Sequence, residues 1–229
     1  MIVRVLRIAQ KSKLASRVIV ATDNEEIAKV VRLAGGEAIM TSPKCKNGTE
    51  RVAEVVRMLP EPPKVVVNLQ GDAVLTPYWI LDELIQSSLR ESECPILTPI
   101  YEVSGDELKD LIARKKSGSK TTTLSVFDVS RKALYFSKTL IPFSRDTELA
   151  KAHVHIGIYA YTPEGLETLS SLPPSYLESI EQLEQLRALE NGIPIRVVPV
   201  NLIGKKLASV DAPIDIQNME KIIFEQGEL

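Results

Sequence analysis

Three aspartates stand where apolar, strand-like runs end: Asp23 after RVIVAT, Asp72 after VVVNLQG and Asp211 after LASV. In an open α/β sheet, ligands bind outside the carboxyl ends of the strands. Carboxylates gathered there make a hard oxygen site suited to magnesium, which takes one or two carboxylates plus substrate phosphates. That is the chemistry of phosphoryl or nucleotidyl transfer. Helix capping accounts as well for Asp23 and Asp211, each of which precedes a helical run, but poorly for Asp72, because Thr76 is the better cap. A second cluster lies in HVHIGIYAY at 153–161, which alternates with period two. His153, His155, Gly157, Tyr159 and Tyr161 share one face, and Val154, Ile156, Ile158 and Ala160 the other. A polar, aromatic face with a glycine in it suits close approach of a sugar or of another subunit. Neutral histidines at an interface are the plainer reading, and zinc on the H-x-H pair lacks a third ligand. Glu178 and Glu181 stand three apart near the start of a helix whose apolar face is Leu177, Ile180, Leu183 and Leu186. They are either surface carboxylates favoured by the helix dipole or groups held at a cleft rim. No G-x-G-x-x-G, no P-loop and no serine elbow occurs, so dinucleotide, P-loop and triad chemistries lose their main support.

Such residues need strands that end together and helices that begin beside them. Residues 1–15 read as an amphipathic helix and 17–22 as a buried strand. A helix follows, capped by Thr22 or Asp23, with Glu25 and Glu26 in its first turn and Gly35-Gly36 at its end. Residues 37–40 form a second strand and 49–59 a helix, opened by Asn47-Gly48 and stopped by PEPP. A third strand at 64–69, a helix start at Thr76-Pro77 and a fourth strand at 95–101 complete this half. The alternation predicts an α/β fold with a mainly parallel sheet covered by helices on both faces. Strand-like runs at 122–127, 133–136 and 153–161, with no long helix between them, predict a small antiparallel insert. Helices return at 176–190 and 213–225, around a strand at 195–200. The basic stretch RKKSGSK at 114–120 reads as a solvated loop rather than a phosphate clamp.

The 229 residues are 44% apolar and 25% charged, with a formal net charge of -2, an ordinary globular composition for one large domain or two small ones, and the single run of elements favours one. Nothing in it provides a global field for nucleic acid, and no apolar run approaches the ~20 residues that span a bilayer. Cys45 and Cys94 lie far apart and outside any C-x-x-C pattern, which argues against a disulfide framework. The opening MIVRVLRIAQKSK interleaves Arg4, Arg7 and Lys11 with apolar residues, unlike a signal peptide. A soluble, cytoplasmic protein is expected.

Seven blocks in one order carry a resemblance: ATDNEEIA at 21–28, NGTERVAEVV at 47–56, VVVNLQGD at 65–72, ALYFSKTLIPFSRD at 133–146, HIGIYAY at 155–161, LESIEQLEQLR at 177–187 and SVDAPIDI at 209–216. Together they resemble the 3-deoxy-manno-octulosonate (KDO) cytidylyltransferase family, the CMP-KDO synthetases of lipopolysaccharide biosynthesis, and ALYFS and LEQLR favour it over the acylneuraminate branch. The resemblance implies a nucleotide-diphospho-sugar transferase-like fold. It also implies a reaction in which the C2 hydroxyl of KDO attacks the α-phosphate of CTP and releases pyrophosphate. Transferred by position, Asp72 and Asp211 hold Mg2+ as the catalytic pair, and Asn47, Gly48, Thr49, Glu50 and Arg51 border the nucleotide. Gln70, His155, Tyr159, Glu178 and Glu181 line the sugar pocket, with Lys138 and Arg145 as further substrate contacts. A homodimer built on the insert, roughly residues 117–165, is also implied.

Three departures stand out. The family opens with a strand and a glycine-containing, basic loop that grips the triphosphate, and this sequence begins after it, at the family's first helix. The family's Q-G-D-E-P is Gln70-Gly-Asp-Ala-Val74 here, and Lys138 replaces the usual arginine, which keeps the charge but removes the fork. A start assigned too late or a truncated paralogue each account for the first departure. The rival expectation is a catalytically silent homologue that binds nucleotide or pairs with an active subunit.

Overall fold

The computed structural model describes residues 1–145, 150–205, 207 and 215–226. The first half follows the pattern read from the sequence, with α1, β1 and β3 shorter than expected and β4 longer. Helix α1 (Ile2–Gln10) leads to β1 (Ile19–Thr22), α2 (Glu25–Leu33), β2 (Glu37–Met40), α3 (Gly48–Met58), β3 (Val66–Asn68), α4 (Tyr78–Arg90) and β4 (Ile96–Ser104). Helix α2 is capped by Asn24, whose Oδ1 accepts from the backbone N–H groups of Glu26 and Ile27, while Thr22 Oγ1 accepts from Asn24 N–H. Asp23 is thereby left for a longer-range partner. Then come α5 (Gly105–Lys116), β5 (Leu124–Phe127), β6 (Ala133–Ser137), β7 (Lys151–His155), β8 (Tyr159–Tyr161), α6 (Pro163–Ser171), α7 (Tyr176–Glu181), α8 (Gln185–Glu190), β9 (Ile195–Pro199) and α9 (Asp215–Gln226).

The fold is α/β, but the expected mainly parallel sheet is not what forms. Strands β1 and β2 make a parallel pair of their own, and the other seven form a sheet in the order β3-β8-β4-β7-β5-β6, with β9 also on β4. Every pairing in it is antiparallel except β4 with β9. The reason lies in the insert, which is continuous with the main sheet: β5, β6 and β7 extend it through hairpin-like returns, and β8 carries the chain back between β3 and β4. Strand–helix alternation produces parallel neighbours only where a crossover helix joins adjacent strands, as α2 does for β1 and β2.

Strand β4 is the hub. Ile96, Leu97, Thr98 and Ile100 are essentially inaccessible, because both faces of the sheet are covered. Ile96 and Ile100 join Phe136, Tyr159, Tyr161, Leu166 and Leu186 on one side, while Leu97 packs with Ile80, Leu84, Ile158 and Ala160 on the other.

The run at 153–161, expected as one strand, is two. Between the pairs Ile100–His155 and Leu97–Ala160, β4 advances three residues and its partner five. The two extra residues bulge out around 156–158, and Pro99, which has no N–H to give, falls in the stretch of β4 opposite. Because the slip is two residues, the period-two faces are kept. His155 and Tyr159 therefore remain neighbours, with ring centroids 5.6 Å apart.

The helix expected at 176–190 is likewise broken. Gln182 takes a left-handed conformation (φ 55°) and separates α7 from α8. Ile180, expected on the buried face, is 65% exposed, whereas Gln185, Leu186, Arg187 and Ala188 are all buried. The basic stretch at 114–120 is not wholly solvated either. Lys115 turns inward and donates to the carbonyls of Ser119, Thr122 and Lys138, tying the start of the insert to the turn after β6. Desolvation lowers its pKa.

Candidate functional site

The N-terminus of α3 is built by local chemistry. Asn47 Oδ1 accepts from Glu50 N–H at 2.8 Å, and the Glu50 carboxylate accepts from Lys46 N–H at 2.8 Å, a reciprocal cap that fixes the turn before the helix. Gly48 lies against the Gln70 side chain, where a β-carbon would stand 3.1 Å from the amide. Gln70 Nε2 donates to Asn68 Oδ1 at 3.2 Å. The guanidinium of Arg51 donates to Thr41 Oγ1 at 2.6 Å and to Asp23 Oδ2 at 3.1 Å. Asp23, considered from the sequence as a metal ligand or a cap, is thus the ion-pair partner of Arg51.

Thr49 carries the connection inward. Its hydroxyl donates to Glu184 Oε2 at 3.0 Å, and the Tyr161 hydroxyl lies beside both Thr49 and Asn68. Tyr159, Tyr161, Glu184 and Gln185 line a narrow crevice with Ile96, Leu169 and Ile195, closed so tightly that it has essentially no room for a free water. Three polar atoms in this region, Glu184 Oε1, Gln185 Nε2 and Asn68 Nδ2, are buried without a hydrogen-bond partner among the described residues. Buried polar atoms are usually hydrogen-bonded, so these three mark the polar part of an otherwise apolar and aromatic region. Burial raises the pKa values of Glu184, Tyr159 and Tyr161, holding both phenols protonated as donors. The adjoining His155 is pushed down to about 3 by burial and is neutral at physiological pH. Its ring meets Phe136 at 4.9 Å and Tyr159 at 5.6 Å, between centroids.

Glu178 and Glu181, also expected in the sugar pocket, are engaged by protein groups. Glu178 is engaged by Arg187 through a two-point contact of 2.5 and 2.8 Å and also accepts from Ser175 N–H. Glu181 accepts from Ser137 Oγ and Lys138 N–H, holding the turn after β6. Both carboxylates brace the wall of the site. Lys138 is half-buried beside that turn, and Arg145 is exposed next to 146–149, which are outside the described residues. Asp72 sits half-buried in the turn following β3, two residues beyond Gln70. Its expected partner Asp211 lies outside the described residues.

Sequence reasoning missed Glu184 and Gln185, although LEQLR carried them, and Thr98. The signal for Thr98 was present: a lone hydroxyl in the apolar run ILTPI must find a buried partner.

The capped N-terminus of α3 and, joined to it through Thr49, a crevice lined by two phenols, an amide and a carboxylate make up the candidate small-molecule site. The cytidylyltransferase family model matches residues 1–202. The chain is 44% identical over 230 residues to a 3-deoxy-manno-octulosonate cytidylyltransferase of Maricaulis maris, covering all of this chain and 89% of that protein. It is 42% identical over 200 residues to one of Chlorobaculum tepidum, covering 86% and 77%. A solved structure described as a CMP:2-keto-3-deoxy-manno-octonic acid synthetase complexed with CTP superposes with a TM-score of 0.86 at 30% identity, over 98% of this chain and 88% of that one. The chain belongs to the 3-deoxy-manno-octulosonate cytidylyltransferase family.

Proposed function

We infer that the protein transfers a cytidylyl group from CTP to KDO, giving CMP-KDO and pyrophosphate. The observation that carries this reading is the Thr49–Glu184 hydrogen bond, which joins the α3 N-terminus to the wall of the buried pocket. Two ligands bound one at each end of that contact are held in a fixed relation, and displacement at phosphorus depends chiefly on such positioning. Asn47 to Arg51 border the cytidine, with the Arg51 guanidinium oriented by Asp23 and Thr41. Gln70, against Gly48, stands between the nucleotide and the sugar acid. His155, Tyr159, Glu184 and Gln185 receive the sugar hydroxyls, while Glu178 and Glu181 hold the helix and turn around it. As a hard oxygen donor at a strand end, Asp72 fits magnesium, and together with Asp211 it would hold the ion, whose charge neutralises the phosphates.

A homodimer through the insert accompanies this reading. Leu134 on β6, Val129 in the β5–β6 turn and Phe143 are large apolar side chains left exposed there, and an apolar surface of that kind suits a second copy. No helix among the described residues is long and apolar enough to cross a membrane, and we place the reaction in the cytoplasm, where CTP is available.

Coupled measurement of pyrophosphate release from CTP, KDO and magnesium tests the assignment. Turnover with CTP and KDO, and none with CTP and N-acetylneuraminate, is expected. No release with KDO, alongside intact CTP binding, would return the protein to the silent nucleotide-binding role.

A further inference from the structure

Thr98 is fully buried in β4, at the level of the bulge between β7 and β8. Its hydroxyl oxygen lies 2.8 Å from the Ile158 carbonyl, 3.3 Å from the Ile156 carbonyl and 2.8 Å from His155 Nε2. Both carbonyls can only accept, so the single hydroxyl proton is committed to them, to Ile158 first. The contact with Nε2 can then be a hydrogen bond only if the ring nitrogen donates. A bare Nε2 would face a hydroxyl lone pair, or would take the proton and leave the carbonyl at 2.8 Å opposed to oxygen.

We propose that Thr98 is a positioning residue that locks His155 as the Nε2–H tautomer and so presents Nδ1 as a hydrogen-bond acceptor to the sugar acid. Among the described residues no donor reaches Nδ1. The group it accepts from must carry a proton, so His155 is matched to a hydroxyl of the ligand and mismatched to its ionised carboxylate, which can only accept. The low pKa produced by burial keeps the ring neutral and the assignment unchanged across the physiological range. The bulge is what makes the lock possible, since it turns the 156 and 158 carbonyls toward the Thr98 hydroxyl. The inference rests on the sugar-pocket reading of His155 for the identity of the ligand, but the tautomer itself does not.

His153 and His155 are the two histidines of the chain. Long-range 1H–15N correlation spectra of histidine-labelled protein resolve both rings, and His153→Gln assigns them. His155 is expected with a protonated Nε2 and a bare Nδ1, without titrating between about pH 5.5 and about 8. Thr98→Val, similar in shape but unable to accept, should release the tautomer and raise KM for the sugar acid about tenfold with KM for CTP unchanged. Thr98→Ser should restore both. A ring protonated at Nδ1 in the unsubstituted protein overturns the proposal, and this spectrum decides even if the valine variant does not fold. Retention of both the Nε2–H form and the sugar KM in Thr98→Val overturns it equally. If His155→Ala leaves the sugar KM unchanged while the unsubstituted protein shows Nε2–H, the sugar-pocket reading fails and the tautomer assignment stands.

Discussion

Removal of Glu178 separates two readings of its carboxylate. The resemblance places it among the groups that line the sugar pocket, whereas the structure commits both oxygens to Arg187 and Ser175 N–H. The Arg187 side chain is 3% exposed and that of Glu178 16%, so the pair is held out of water. Glu178→Ala would leave a guanidinium buried without its counter-charge, and breaking one side of a buried pair costs about 3–5 kcal/mol. At about 2–4 °C per kcal/mol for a domain of this size, the melting temperature should fall by roughly 6–20 °C. Replacing both partners by apolar residues, as in Glu178→Leu with Arg187→Met, should recover much of that loss, because the desolvation of two charges disappears with their attraction. Thermal unfolding by circular dichroism on the single variants and the double variant closes the cycle, and KDO and CTP kinetics are taken below the transition. The reasoning is refuted if Glu178→Ala melts within about 1 °C of the unsubstituted protein while KM for KDO rises tenfold or more. That outcome would make the carboxylate a ligand group and the ion pair incidental.

Asp72→Asn should abolish magnesium-dependent turnover and leave the melting temperature nearly unchanged; retained activity with a large loss of stability would make the residue structural. Gly48→Ala, which brings a methyl group against the Gln70 amide, should raise KM for CTP several-fold, and an unchanged KM would remove Gly48 from the nucleotide site. Because the folded state holds His155 neutral well below the ordinary histidine pKa, the unfolded state binds the extra proton, so stability should fall as pH drops below about 6.5 toward 3. Denaturant midpoints across that window should flatten in His155→Gln; an identical slope would show that the ring is not the group responsible. Sedimentation at micromolar concentration should show a dimer that Leu134→Glu weakens, and a clean monomer in the unsubstituted protein would reject the insert as an interface.

The parts of the site legible in the sequence are those that short-range chemistry fixes. Asn47 and Glu50 cap α3 across three residues, so their spacing announces the helix start whatever the tertiary fold. Asp72 was singled out because an apolar strand must end before it, and it does lie in the turn after β3. His155 and Tyr159 were assigned to one face by period two, and the assignment survives a break the pattern did not show, because the bulge adds two residues and parity is kept. Had it added one, every side chain beyond it would have changed faces. The arrangement of strands was less legible. Alternation of strands and helices says which elements follow one another, and a parallel sheet was expected from it, yet β8 reaches its place between β3 and β4 by running back from the insert.

The polar residues of the buried pocket were illegible for a different reason. In LESIEQLEQLR every third or fourth residue is leucine or isoleucine, and a continuous helix on that spacing would turn Glu184 and Gln185 toward water. The chain instead takes a left-handed residue at Gln182, which costs roughly 1–2 kcal/mol for a side chain other than glycine. Burial of Leu183 and Leu186 and the Arg187–Glu178 pair offset that cost. The new helix then begins with its polar pair turned inward against Thr49 and Tyr161. A pattern that counts apolar residues cannot foresee this, since the polar pair is received by Thr49 on α3, distant in sequence, and by Tyr161 on β8. The same partners make the break useful: a carboxylate and an amide that would be wasted on solvent become the polar wall of a pocket otherwise built of aromatic rings and aliphatic side chains.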